Sequence, residues 1–174
     1  MERAITNEAE EIIFLYVTRD RYTECHKMLN EIRPLWDRPW EVSFSNLDSA
    51  RLCYLVDEFT ASVFHSMRAA EKVLTTLAKS LSLDPSRENW QPIIEQIEAS
   101  VKKLDDLPKG EEKEKKQTFY SETAMQLRYI KNAWRNHVMH GRHEYKEKDA
   151  REIWFHVKRI VEKASCELEE ALDT

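Results

Sequence analysis

The sequence predicts an all-α fold, a bundle of about five helices forming a single domain over residues 1–174. Only two glycines and five prolines occur, and they fall in clusters that cut the chain into helical lengths, because proline ends helices and glycine caps them. Between the clusters, apolar residues recur in steps of three or four, the period of an amphipathic helix. Alternating runs of β-branched residues bounded by turn dipeptides are missing, so strand signals are absent.

A first helix is expected near Ile5 to Ile32, stopped before Pro34, and PLWDRPW then forms a short aromatic connection; residues 1–44 thus supply an N-terminal helix and a Pro/Trp link. The core bundle is expected over residues 45–172. Ser45 with Asp48 three residues on has the form of a capping box. From there Leu52, Val56, Phe59, Val63, Met67, Ala70, Leu74, Leu77 and Leu81 predict one continuous amphipathic helix, ended by Asp84 and Pro85. Asn89 can cap a shorter helix through Ile93, Ile94 and Ile97 to Leu104, with Pro92 tolerable in its first turn.

Pro108 and Gly110 break the chain again, and EEKEKK reads as a solvated first turn because its acids and bases cancel. The helix that follows carries Tyr120, Ala124, Leu127, Ile130, Trp134 and Val138 on one stripe and halts at Gly141. The last helix repeats the spacing with Ala150, Ile153, Val157, Ile160, Ala164, Leu168 and Ala171. Three long amphipathic helices need one another's faces, which is why a bundle is the natural architecture.

Composition narrows the class. The three cysteines Cys25, Cys53 and Cys166 are widely spaced, with no CxxC pair, which argues against a disulfide framework and a zinc ribbon and for a reducing cytoplasm. The apolar run from Ile12 to Val17 is too short for a signal sequence, and nothing approaches the ~20 apolar residues of a membrane span, so no membrane role is expected. The formal net charge is −5. Residues 128–148, however, hold six cations (Arg128, Lys131, Arg135, Arg142, Lys146, Lys148) against Glu144 and Glu147, a local +4 that leaves −9 for the remainder.

That focus of charge is the candidate site, KNAWRNHVMHGRH at residues 131–143. With Trp134 toward the core, a step of about 100° per residue turns Arg135, Asn136 and His140 outward, and Arg128 and Asn132 to the side of Arg135. His140, just before the helix-closing Gly141, sits among unsatisfied carbonyls that favour a protonated imidazole. Arg135 offers a fork of donors matched to a phosphate. Together they suit phosphodiester chemistry, with Arg135 holding the scissile phosphate, His140 as acid or base and Asn136 positioning either one. Lys131, Arg128, Asn132, Arg142, His137 and His143 would add substrate contacts.

The string RNHVMH resembles the Arg, polar, three or more residues, His motif of the HEPN superfamily, all-helical domains of which many are metal-independent ribonucleases. The likeness extends, in order, through VFHSMRAAEKVLTTLAKSL (residues 63–81), NW at Asn89 and Trp90, and IKNAWRNHVMH, covering roughly residues 45–172. It implies a homodimer in which two motif helices face one another and two Arg/His pairs form a composite cleft. It implies an RNA substrate, no cofactor, and an antitoxin or defence-system partner, as in toxin–antitoxin and phage-defence systems. HEPN toxins controlled by a nucleotidyltransferase antitoxin carry a tyrosine two residues after the motif histidine; Arg142 stands there instead, which puts regulation by tyrosine modification in doubt.

The alternative is a non-catalytic HEPN module that uses the same patch to bind RNA, a nucleotide or a protein partner. His137, His140 and His143 invite a zinc reading, but a helix spreads them over about 120° and no nearby Cys or His completes a tetrahedron, so no metal is expected. Glu71 could orient Arg135 from a neighbouring helix, although an i, i+3 ion pair with Arg68 is the more economical use. Trp134 and Trp154 read as core packing rather than base-stacking platforms.

Overall fold

Thr18 opens the first helix of the computed structural model, which describes residues 16–35, 40–85, 89–103, 110–135 and 144–172. The Thr18 backbone is extended and its hydroxyl accepts a hydrogen bond from the Arg21 N–H (3.3 Å), satisfying one of the donors a helix start leaves unpaired. Helix α1 therefore spans Arg19–Ile32. The expected helix from Ile5 is corrected to that extent, because residues 16–18 are not helical; residues 5–15 lie outside the described residues. Pro34 falls in a 3-10 turn, Arg33–Leu35.

The long helix expected from Ser45 to Leu81 is two helices, α2 (Glu41–Leu55) and α3 (Phe59–Ser80). Asp57 takes a left-handed backbone (φ 63°). Around it the Asp57 N–H bonds to the Tyr54 carbonyl (3.3 Å) and the Glu58 N–H to the Cys53 carbonyl (2.9 Å). These are the two reversed bonds of a Schellman stop, which satisfies the last carbonyls of α2 and turns the chain. The capping box at Ser45 and Asp48 is not formed, since both lie inside α2. The Ser45 carbonyl accepts the Ser49 hydroxyl and Asp48 pairs with Arg51.

The end of α3 repeats the device: Ser82 is left-handed (φ 59°), its N–H bonds to the Lys79 carbonyl (2.9 Å) and the Leu83 N–H to the Ala78 carbonyl (3.0 Å). A side chain in that region costs about 1 kcal/mol that glycine avoids. Ser82→Gly is therefore expected to stabilise the fold, raising the thermal midpoint by about 2 °C in calorimetry. A lowered midpoint would contradict the stop.

Helix α4 follows (Trp90–Lys103), then α5 (Glu111–Ile130), continued by a π turn at Lys131–Arg135, and α6 (Glu147–Leu172). No strand occurs among the described residues, so the all-α bundle is the fold. The start of α5 is solvated as its composition predicts, with i, i+4 pairs Glu111–Lys115 and Glu112–Lys116 on the surface. No helix among the described residues is long and apolar enough to cross a membrane.

Helix α3 is the centre, packed against α2, α6 and α4, while α4 packs on α5. Its stripe Val63, Met67, Ala70, Val73, Leu74 and Leu77 is buried against Phe44, Leu47 and Tyr54 of α2, Ile153, Val157 and Ile160 of α6, and Ile94 and Ile97 of α4 in one core. Cys25, Met28 and Ile32 of α1 belong to that core. Burial pushes the Cys25 thiol up to about 11, and the three cysteines are free thiols.

Polar groups close the junction of α1, α2 and α6. The Arg21 guanidinium lies over the Tyr54 ring (4.3 Å) and pairs with Glu147 (2.9 Å) and Asp57 (3.2 Å). The Tyr54 hydroxyl donates to Glu24 (2.9 Å), which also pairs with Arg151 (2.6 Å). These bonds fix the start of α6, and with it the chain that returns from the candidate motif.

Candidate functional site

The stripe of α5 holds through Ile130, with Tyr120, Ala124, Leu127 and Ile130 buried. Beyond it, Lys131–Arg135 widen into the π turn. An i→i+5 turn has more residues per circle, so each step rotates the side chain by less than the 100° of an α-helix. The outward direction expected for Arg135 is corrected accordingly: its side chain is 21% exposed and reaches across to α3 and α4.

There the guanidinium carbon stands 5.0 Å from the centroid of the Trp90 ring, a cation–π contact. One terminal nitrogen is 3.7 Å from Glu71 Oε1. The same carboxylate oxygen accepts the Trp90 Nε1–H at 3.1 Å. Glu71 thus ties the indole and the guanidinium together, where the sequence favoured a pair with Arg68. At 3.7 Å the contact with Arg135 is electrostatic rather than a hydrogen bond, so the carboxylate does not use up the guanidinium's donors. Phe64, Met67, Arg68, Glu71 and Arg135 line an open crevice of about 210 Å³.

The other sequence-selected residues divide. Arg128 forms a two-pronged bond with Glu98 of α4 (Nε to Oε1 2.9 Å, Nη2 to Oε2 2.7 Å), which pins α5 to α4. Lys131 is half-buried and Asn132 exposed. Asn136, His137, His140, Arg142 and His143, together with the expected helix stop at Gly141, lie outside the described residues. No group of three or more His, Cys, Asp or Glu side chains converges as metal ligands among the described residues.

Two described residues on either side of 136–143, Trp134 and Tyr145, are bonded to each other. Buried Tyr145 donates its hydroxyl to the Trp134 carbonyl (3.1 Å), and its N–H donates to Thr60 Oγ1 of α3 (3.1 Å). Tyr145 therefore joins the π turn to the chain that re-enters α6 and anchors both on α3. Sequence reasoning assigned no role to Tyr145, and it missed Glu98 and the part of Trp90. Trp90 carried a usable signal: a tryptophan at a helix start, whose N–H must find an acceptor once buried.

Trp134 packs half-buried on the core edge, its ring 5.2 Å from Tyr129 and 5.7 Å from His156. His156 Nε2 is buried there without a hydrogen-bond partner among the described residues. Burial, with a smaller push from Arg159, lowers its pKa from the ordinary 6.5. The unfolded chain then binds the proton more readily, so the stability this group contributes is present above about pH 6.5 and is lost as pH falls through the folded value. His156→Phe should flatten urea-measured stability between pH 7 and 5 relative to wild type; an unchanged pH slope would contradict the assignment.

Arg135 is thus held between an indole face and a carboxylate, in the lining of an open crevice and immediately before Asn136 in the chain. No family model, no curated protein and no solved structure matches this chain.

Proposed function

We propose that the chain is a metal-independent RNA endonuclease of toxin or phage-defence type, cytoplasmic, acting as a homodimer through a composite Arg/His site. The observation that supports it most is the setting of Arg135, over the Trp90 ring and beside Glu71 in the lining of the crevice. A preoriented fork loses little entropy on binding a phosphate. The resemblance of RNHVMH to the HEPN motif supplies the acid–base partner, His140.

In the reaction, Arg135 binds the non-bridging oxygens of the scissile phosphate and stabilises the charge that grows on them. The 2′-hydroxyl loses its proton and attacks phosphorus, the bond to the 5′-oxygen breaks, and that oxygen takes up a proton. His140 serves one of the two transfers and Asn136 positions the groups. The products are a 2′,3′-cyclic phosphate and a 5′-hydroxyl. An antitoxin or defence-system partner would restrain this activity in the cell.

RNA should be cut in the presence of EDTA while DNA of the same sequence survives, because DNA lacks the nucleophile. Light scattering at tens of micromolar, a range suited to weak association, should give the mass of a dimer. Cleavage abolished by EDTA, or a monomer that cuts, would contradict the composite metal-free site. RNA binding without cutting would favour the non-catalytic module.

A further inference from the structure

The crevice beside Arg135 has two unlike walls. On α3, Phe64, Met67, Arg68 and Glu71 stand at i, i+3, i+4 and i+7, so they form one stripe along the helix. Met67 is buried beneath it, but the Phe64 ring is 37% exposed. Such a ring at the rim of an open cavity is a face without a full complement of neighbours. Arg68 is exposed on the same stripe, and Arg135 enters from the π turn. The lining therefore holds two guanidinium groups against one carboxylate.

A flat apolar ring next to a pair of arginines matches one chemical unit, a nucleobase joined to phosphates. Aromatic faces stack bases with little regard to sequence, while arginines follow the backbone. Resting on the proposed nuclease reading, we infer that the crevice is a nucleotide subsite for single-stranded RNA. Phe64 stacks a base adjoining the scissile bond, and Arg68 binds the neighbouring phosphate while Arg135 holds the scissile one. Glu71 limits the local positive charge and keeps Arg135 against Trp90, which makes Glu71 a positioning residue.

The test separates binding from cutting by using a fluorescent 2′-O-methyl RNA 8-mer of mixed sequence, which lacks the attacking hydroxyl. Fluorescence anisotropy on the full chain should show Phe64→Ala weakening the affinity by about 5- to 100-fold, the range of one lost stacking contact. Phe64→Tyr, which keeps the ring, should bind within about threefold of wild type on the same ground. Arg68→Gln should lower the slope of log affinity against log salt by about 0.7, the value for one phosphate contact to a single strand. Far-ultraviolet dichroism of each variant shows that the fold is retained.

Phe64→Ala and Arg68→Gln binding like wild type would overturn the subsite, even if unmodified RNA is still cut. So would an 8-mer that wild type does not bind, or Phe64→Ala changing only the oligomeric mass, which would make this face a protein contact. If the 8-mer binds with the expected losses but unmodified RNA is never cut, the subsite stands and the nuclease reading fails.

Discussion

Replacing His140 by alanine is expected to slow RNA cleavage by about 100-fold or more, the usual contribution of a positioned acid or base. The imidazole has no role in that account except proton transfer, so binding of uncut RNA should change little. Arg135→Ala should behave differently, losing both binding and cleavage. Full exposure of Arg135 would have predicted a negligible effect on stability. Its cation–π contact with Trp90 raises the expected loss to about 1 kcal/mol, so its activity must be measured well below the unfolding midpoint. Arg135→Lys keeps the charge without the planar fork and should recover little activity. Full cleavage by the His140 variant would remove the histidine from the mechanism.

Trp154→Ala is expected to produce the largest loss of stability, about 3–5 kcal/mol. Trp154 is fully buried on α6, and its Nε1–H donates to the Leu47 carbonyl of α2 at 2.8 Å. Alanine removes the ring from the contact between these helices and leaves a cavity. Against a total stability of about 5–15 kcal/mol this is a large fraction. Urea denaturation followed by dichroism should show a much lower midpoint with a similar slope. Trp154→Phe, which keeps most of the volume, should lose less. A midpoint within error of wild type for the alanine variant would contradict the packing.

The helical spacing made most of the core legible, and its failures have a local cause. On the stripe assigned to one long helix, Val63, Met67, Ala70, Leu74 and Leu77 are buried, but Leu52 and Val56 are 47% and 41% exposed. The Schellman stop at Asp57 resets the helical phase, so positions before it cannot be extrapolated from positions after it. Glycine usually marks such a stop; an aspartate in that place carries no comparable signal. The α1 start failed similarly, because the Thr18 cap sits inside a run whose apolar spacing continues.

For the candidate site, the sequence shows which residue types lie together along the chain but not how they are placed. Arg135 stood out from its neighbours along the chain, yet its direction followed from a uniform 100° step that the π turn does not keep. The partners that hold it, Trp90 and Glu71, come from α4 and α3. Pairings between distant helices depend on how those helices pack, which periodicity within each helix does not encode. Arg128 illustrates the same limit: its charge marked it for substrate contact, and its pairing with Glu98 of α4 is of the kind that spacing within α5 does not reveal.

The most direct test is the chemistry of the cut ends. Wild-type protein incubated with a defined RNA, with products read by mass spectrometry, should give 2′,3′-cyclic phosphates and 5′-hydroxyls. A single 2′-deoxy substitution at a cleaved position should abolish that cut alone, since it removes the nucleophile there. RNA that is bound but never cut, with binding lost in Arg135→Ala and unchanged in His140→Ala, would contradict the nuclease and leave a binding module.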